Sequence, residues 1–377
     1  MRELVRRREI LVCVGPGGVG KTTTAAALGV LAARTGRRTL VCTIDPAPRL
    51  ADALGLHSLG PEPIPVSQET SRALGIEGPG RLEAARVDTA RAFDQLVEEV
   101  ADPALRQRIL SNHLYRHLTN DLTGAQEYAA TLSLFELQRR HAHDIIVLDT
   151  PPAAHALDFL QAPQRLAEAI GSPALRWFAR PDPHAGRFSW QSLRAGGALA
   201  MRRMGRLVGS QFLDDLGDFL LDVQGVLGAF LARSQEIERL LRRPEVAFLL
   251  VLSPEVAAID EAIELARRLR EAGTPLTGFI ANRVLDMPVR IQEGDIAARL
   301  AGVPALRGRD LQEPTRIIGE LAAYLASIAQ AQRTELARLA SRAPGLNITR
   351  VPLLARDVSN LDSLRAVADW LAAAATY

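Results

Sequence analysis

Apolar residues along this chain gather in short unbroken runs rather than in alternation with polar ones. Ile10–Val14, Thr39–Ile44, Asp144–Leu148, Val246–Leu252 and Leu276–Ala281 read as strands buried on both faces, and a shorter run, Asn347–Val351, precedes Pro352. Leu82–Val87 reads as an added edge strand. Most runs lead through a loop into a segment with helical spacing, the rhythm of a parallel sheet wrapped by helices. The expected fold is therefore α/β.

Two stretches break that rhythm. From about Thr89 to Arg140, and from about His155 to Arg243, the pattern is helix after helix. The division this predicts is an α/β domain of residues 1–88, 141–154 and 244–377, with a helical subdomain of 89–140 and 155–243 inserted in two segments. Pro61, Pro63, Pro65, Pro79 and neighbouring glycines read as the first junction, and Pro181 and Pro183 interrupt the second insertion. Within that insertion Leu216, Phe219, Leu220, Val223, Val226, Leu227, Phe230 and Leu231 form one helical stripe. Such a stripe lines either the subdomain's own core or a groove for an apolar helix.

Composition narrows the classes. With 377 residues and 47% hydrophobic content, the chain can bury a large core. A net charge of +2 leaves no global footprint for nucleic acid or an acidic membrane. Cys13 and Cys42, the only cysteines, sit inside apolar strand-like runs and read as buried thiols rather than metal ligands. The start, MRELVRRREI, lacks the apolar region of a secretory signal, and the longest apolar run is too short to span a bilayer. The expectation is a soluble, cytoplasmic protein.

The basic residues carry the first chemistry. Among 45 lysines and arginines, Lys21 is the single lysine, and it lies in GPGGVGKTT, Gly15 to Thr23. That run fits G-x-x-x-x-G-K-[ST], follows a strand and opens a helix from Thr23 to Arg34. In such a loop the backbone N–H groups of Gly15, Gly17, Gly18, Val19, Gly20, Lys21, Thr22 and Thr23 can cradle phosphates, with the helix dipole behind them. A compact ammonium reaches between the β- and γ-phosphates where a planar guanidinium fits poorly, and the Thr22 hydroxyl suits Mg²⁺. Asp45 ends TLVCTID and Asp149 ends DIIVLDTPP, each just before a Pro-containing loop. A carboxylate so placed holds a metal's water shell or orients an attacking water; its plainer role is to cap the next helix.

Together GPGGVGKTTTAAA, DPAPRLADALG, DTPPAAHALDFLQAP, ANRV and VPLLARDVSNLDSL resemble the ArsA-like ATPases, P-loop NTPases with a deviant Walker A loop that include the arsenite-pump ATPase and the ATPase targeting tail-anchored membrane proteins. The resemblance covers nearly the whole length. It implies a Mg²⁺-dependent ATPase whose nucleotides lie near a dimer interface. It also implies that Asp45 activates the attacking water, with Lys21 as its catalytic partner, and that Thr22 and Asp149 hold Mg²⁺. Asp45 with Pro46 would form one switch, and Asp149 with Pro151 through His155 the other. Asn282 matches the family's adenine-contacting Asn, although an Asn there also reads as a turn residue, and Pro352 matches the segment closing over the base.

Three departures limit the transfer. Pro16 stands where most members carry an earlier lysine that reaches the partner subunit's nucleotide. The helical segments hold no cysteines for a metalloid site, and the zinc-binding CxxC of the targeting ATPase is missing. Neither zinc nor an iron–sulfur cluster is expected. The reading is a nucleotide switch, homodimeric or paired with a related ATPase, that captures a hydrophobic-helix or membrane-protein client. The alternatives are a subunit of an anion-transport or detoxification system, and a non-hydrolysing binding module. Arg176, Arg180, Arg187, Arg194, Arg202, Arg203 and Arg206, with Trp177, Phe178 and Trp190, form either a partner surface or a solvated face; no specific nucleic acid is expected.

Overall fold

The structure is a computed structural model that describes residues 1–121, 125–150, 210–274, 276–287, 293–355, 358 and 360–373. Contacts divide the chain into two compact units. The first comprises Met1–Arg86, His141–Leu157 and Arg243–Tyr377, and the second Val87–Arg140 and Asp158–Arg242.

The first unit is built on one eight-stranded sheet. Its strands are β1 (Ile10–Val14), β2 (Arg38–Thr43), β3 (Ile64–Pro65), β4 (Arg81–Arg86), β5 (Ile145–Asp149), β6 (Val246–Leu252), β7 (Leu276–Val284) and β8 (Asn347–Pro352), in the order β3-β4-β2-β5-β1-β6-β7-β8. All neighbours are parallel except β3 with β4. Every residue of β1, β5 and β6 is buried, which is why their sequences are continuous apolar runs.

After α1 (Arg2–Arg7), helix α2 (Lys21–Arg34) returns the chain from β1 to β2. Its small residues Ala25, Ala26, Ala27, Ala32 and Ala33 are fully buried, so the helix lies close against the sheet. On its other side it meets the C-terminal helix Leu361–Ala373, through that helix's buried Leu364, Val367 and Leu371. Strand β1 lies between β5, reached after β2, and β6, which leads outward to β7 and β8. Ligands of open α/β sheets bind at the carboxyl ends of strands where the order reverses in this way.

Several expectations need correction here. Arg81–Arg86 is not the edge strand: the two-residue β3 pairs outside it, antiparallel. A proline is tolerated at such an edge because no further strand needs its missing N–H. The Pro-rich stretch expected at the junction thus lies inside the first unit, whose boundary falls at Arg86. Strand β7 runs past Ala281 to Val284, because its pairing with β8 resumes at Val284 after a register shift. Helix α2 begins at Lys21 rather than Thr23, and β2 stops at Thr43, so Asp45 lies in the loop beyond it.

The second unit is helical in its described residues. Helices α3 (Arg49–Ala53) and α4 (Gln68–Ala73) belong to the first unit; the second holds α5 (Thr89–Val100), α6 (Pro103–Ser111), α7 (His113–Asp121), α8 (Ala125–Arg139) and α9 (Ser210–Leu241). Asp88 caps α5 by accepting from the Arg91 N–H, and Asp102 caps α6 at Ala104 and Leu105. The Phe93 ring lies 5.6 Å from Tyr128 and 6.5 Å from Phe230. Phe219, Val226 and Phe230 are buried, so at these positions the α9 stripe serves the unit's own core rather than a groove. Arg233 donates to Glu136 and, at 2.8 Å, to Glu99, with its guanidinium 4.8 Å from the Phe135 ring centroid. The arginine cluster expected in this insertion, with Trp177, Phe178 and Trp190, lies outside the described residues.

Candidate functional site

The loop from Gly15 to Gly20 leaves β1 at its carboxyl end and runs into α2. Its backbone requires glycine at both ends. Gly15 has φ +150°, and a Cβ there would collide with the Val251 carbonyl oxygen on β6. Gly20 caps α2 in the left-handed conformation, φ 93°. Between them, Gly17 and Gly18 form an exposed crown, while Val19 is only 4% exposed and roots the loop in the core.

Lys21 is 7% exposed and folds back over its own loop. Its Nζ donates to the Gly15 carbonyl at 3.0 Å and the Pro16 carbonyl at 2.7 Å. Burial lowers its pKa, and the nearby charge of Asp149 works against that. Thr22 and Thr23 follow, half-buried, in the first turn of α2.

Asp149 ends β5 beside this turn and is 1% exposed. Its Oδ2 accepts from the Thr22 hydroxyl at 2.7 Å and the Thr43 hydroxyl at 3.1 Å. Its Oδ1, also buried, has no hydrogen-bond partner among the described residues. Burial raises the carboxyl pKa to about 6, while the two hydroxyls and Lys21 pull it down. A buried carboxylate with one free oxygen, next to a threonine hydroxyl at a phosphate loop, fits a hard divalent cation such as Mg²⁺. Thr22 and Asp149 are the residues that would hold it.

Asp45 is held by its own turn. Its N–H donates to Thr43 Oγ1 at 3.1 Å, and its Oδ1 accepts from the Ala47 N–H at 2.9 Å across the exposed Pro46. Arg49 stands 3.5 Å from its Oδ2. The Thr43 hydroxyl therefore sits between the two acids, taking a bond from one backbone and giving one to the other carboxylate. Sequence reasoning missed Thr43, although a lone hydroxyl two residues before Asp45, in a strand otherwise apolar from Leu40, is a visible signal. It also missed Thr150, whose hydroxyl donates to the Cys13 carbonyl at 2.8 Å and ties the end of β5 to β1 just below the loop.

Asn282 stands near the end of β7, and its Nδ2 donates to the Val19 carbonyl at 2.8 Å. The structure thus brings the expected Asn to the phosphate loop. Pro352 closes β8 opposite Val284, followed by an exposed Leu353. Pro151 and His155, expected in the second switch, lie outside the described residues.

A family model described as "Anion-transporting ATPase" matches residues 8–174, a span that opens just before β1 and includes the loop, Asp45 and Asp149. Over that span, which is less than half of its length, the chain is similar to the ArsA-like ATPases. It is 38% identical over 162 residues to an uncharacterized protein of Streptomyces coelicolor, covering 42% of this chain and 38% of the relative. Similarity to ATPase GET3 of Malassezia globosa is 28% identity, over 54% of this chain and 60% of that protein. Similarity to a putative arsenical pump-driving ATPase 1 of Aquifex aeolicus is 23% identity, over 75% of this chain and 65% of that protein. The chain thus spans less than two thirds of the length of each relative. Asn282 and Pro352 fall beyond the family match, so the β7–β8 side of the site rests on the geometry alone.

Proposed function

We propose that the chain binds and hydrolyses Mg-ATP at the loop of Gly15–Thr23 and uses the change of nucleotide state as a switch. The observation that carries this reading is the connected set Thr22–Asp149–Thr43–Asp45 beside a buried Lys21. Lys21 exchanges the Gly15 and Pro16 carbonyls for the β- and γ-phosphate oxygens, and the backbone N–H groups of the loop take the remaining phosphate charge. Thr22 and Asp149 would hold Mg²⁺, which when bound would add positive charge to offset that of the phosphates. Asp45 orients and deprotonates the attacking water once its turn opens, and Pro46 and Arg49 move with it. Asp149 and the segment of Pro151 through His155 form the second switch. Asn282 and Pro352 bracket the base, an amide suiting adenine.

The names of two relatives, ATPase GET3 and an arsenical pump-driving ATPase, support ATP as the substrate. Capture of an apolar or membrane-protein client by the helical unit is the switch's output on this reading. A second version follows from one observation. The Pro16 carbonyl accepts from Lys21 in the chain's own loop, and no lysine stands at that position to reach a partner. Pairing with a related ATPase that supplies the lysine would restore it, so activity gained on mixing with such a relative favours this version over a homodimer.

The test is turnover of Mg-ATP by the wild-type chain and Asp45→Asn. The variant should retain bound ATP through gel filtration and release no phosphate. Equal turnover by both removes Asp45 from the mechanism.

A further inference from the structure

We propose that Asn282 is a positioning residue for the phosphate loop, setting the Gly20 N–H for phosphate before any base is bound. This rests on the nucleotide-binding reading above and adds a role on the phosphate side of the site. The Asn282 Nδ2 reaches the Val19 carbonyl at 2.8 Å across 263 residues of sequence. A carbonyl only accepts, so the amide nitrogen must be the atom facing it.

Three further features make the contact a built one. Gly20 and Asn282 interlock, because any Cβ at Gly20 would collide with Asn282 Nδ2. The register of β7 against β8 shifts between Ala281 and Val284, and Arg283 within that shift has φ 59°, a left-handed conformation rare for a side-chain-bearing residue. A bulge at a site of function re-aims a neighbouring side chain, here that of Asn282. The Val19 side chain is anchored in the core, so the Val19–Gly20 peptide is held from both sides.

The consequence follows from peptide geometry. In a trans peptide the C=O and N–H point in opposite directions. With the Val19 C=O pinned toward Asn282, the Gly20 N–H points away from β7. It then joins the donors of the loop without having to reorganise when phosphate arrives. Using Nδ2 on the loop also leaves Oδ1 as an acceptor, which suits the exocyclic amine of adenine and opposes the carbonyl of guanine. One side chain thereby links the base to the phosphates.

Tripolyphosphate, which has no base, separates this role from a base contact. Calorimetric titration with Mg²⁺ present should show the wild type binding both ATP and tripolyphosphate, and Asn282→Ala losing about tenfold in affinity for each, the loss of one well-placed buried hydrogen bond. In glycine-labelled protein, tripolyphosphate should displace the Gly20 amide resonance in the wild type and much less in Asn282→Ala, while glycines far from the loop report intact folding. If Asn282→Ala does not fold, the near-isosteric Asn282→Asp carries the same comparison and should also lose tripolyphosphate. A variant that binds tripolyphosphate within about twofold of wild type, but ATP more weakly, overturns the inference and leaves a base contact only. A wild type that binds neither ligand overturns the nucleotide reading itself.

Discussion

The Thr43 hydroxyl donates to Asp149 Oδ2 across 3.1 Å while accepting the Asp45 N–H at the same distance. Two acids on different strands and loops are thus joined by one oxygen. Movement of Asp45 alters the hydrogen bonding of Asp149, and the reverse holds, so the residue pair expected to handle metal and water is physically coupled.

Thr43→Val keeps the shape of the buried side chain and removes that oxygen. Mg-ATP affinity should change by less than about threefold, while phosphate release slows by about tenfold or more, the scale of a lost charge-assisted hydrogen bond. Quenched single-turnover measurement beside equilibrium binding separates the two. Unchanged release would show that the coupling is idle.

Lys21→Arg preserves charge and tests shape. The ammonium meets the Gly15 and Pro16 carbonyls in a space it fills while 7% exposed, and a forked guanidinium has no room to turn there. Phosphate release should fall at least about a hundredfold, as when a positioned charge is lost from a transition state. Turnover near wild type would mean that any cation suffices.

Asp149 sets a pH dependence. Its carboxyl titrates at about 6 in the folded chain, raised by burial from the ordinary 3.8. Between these values the folded state holds a proton that the unfolded state has lost, so this group's contribution to stability is present at low pH and fades as pH rises through 6. Above that the buried charge costs on the order of 2–3 kcal/mol in the nucleotide-free chain. Asp149→Asn should therefore melt higher than wild type at pH 7.5, with the difference vanishing as pH falls below the ordinary carboxylate value toward about 3, while losing Mg-ATP hydrolysis. Differential scanning calorimetry across that range checks the sign.

Phe93→Ala probes the helical unit. Its ring packs against Tyr128 and Phe230, so the deletion opens a cavity among aromatic neighbours. A loss of about 3–4 kcal/mol is expected in urea unfolding followed by tyrosine and tryptophan fluorescence. A loss under about 1 kcal/mol would show that the unit repacks around the gap.

How far the fold is legible in the sequence depended on where each element's stability comes from. Strands β1 and β6 are buried on both faces, and their apolar runs end where the strands end, at Val14 and Leu252. The phosphate loop is legible because its glycines answer local backbone demands. Strand β3 left no trace: two residues, one a proline, are strand only through pairing with β4. The continuation of β7 was hidden likewise, since Asn282 and Arg283 break its apolar run and a bulge carries the chain onward. At the site, residue type and strand ends pointed to Lys21, Thr22, Asp45 and Asp149. The lone Thr43 hydroxyl was visible, but its bond to Asp149 and the reach of Asn282 to Val19 are long-range contacts that no spacing encodes.

Hydrolysis of ATP at the loop of Gly15–Thr23 is the step on which the proposed switch depends. Phosphate release from Mg-ATP by the purified chain, alone and mixed with Lys21→Ala chain in separate and combined reactions, tests it most directly. The wild type should release phosphate steadily and Lys21→Ala should release none. Equal release from both, or a wild type that binds Mg-ATP and never releases phosphate, would contradict it.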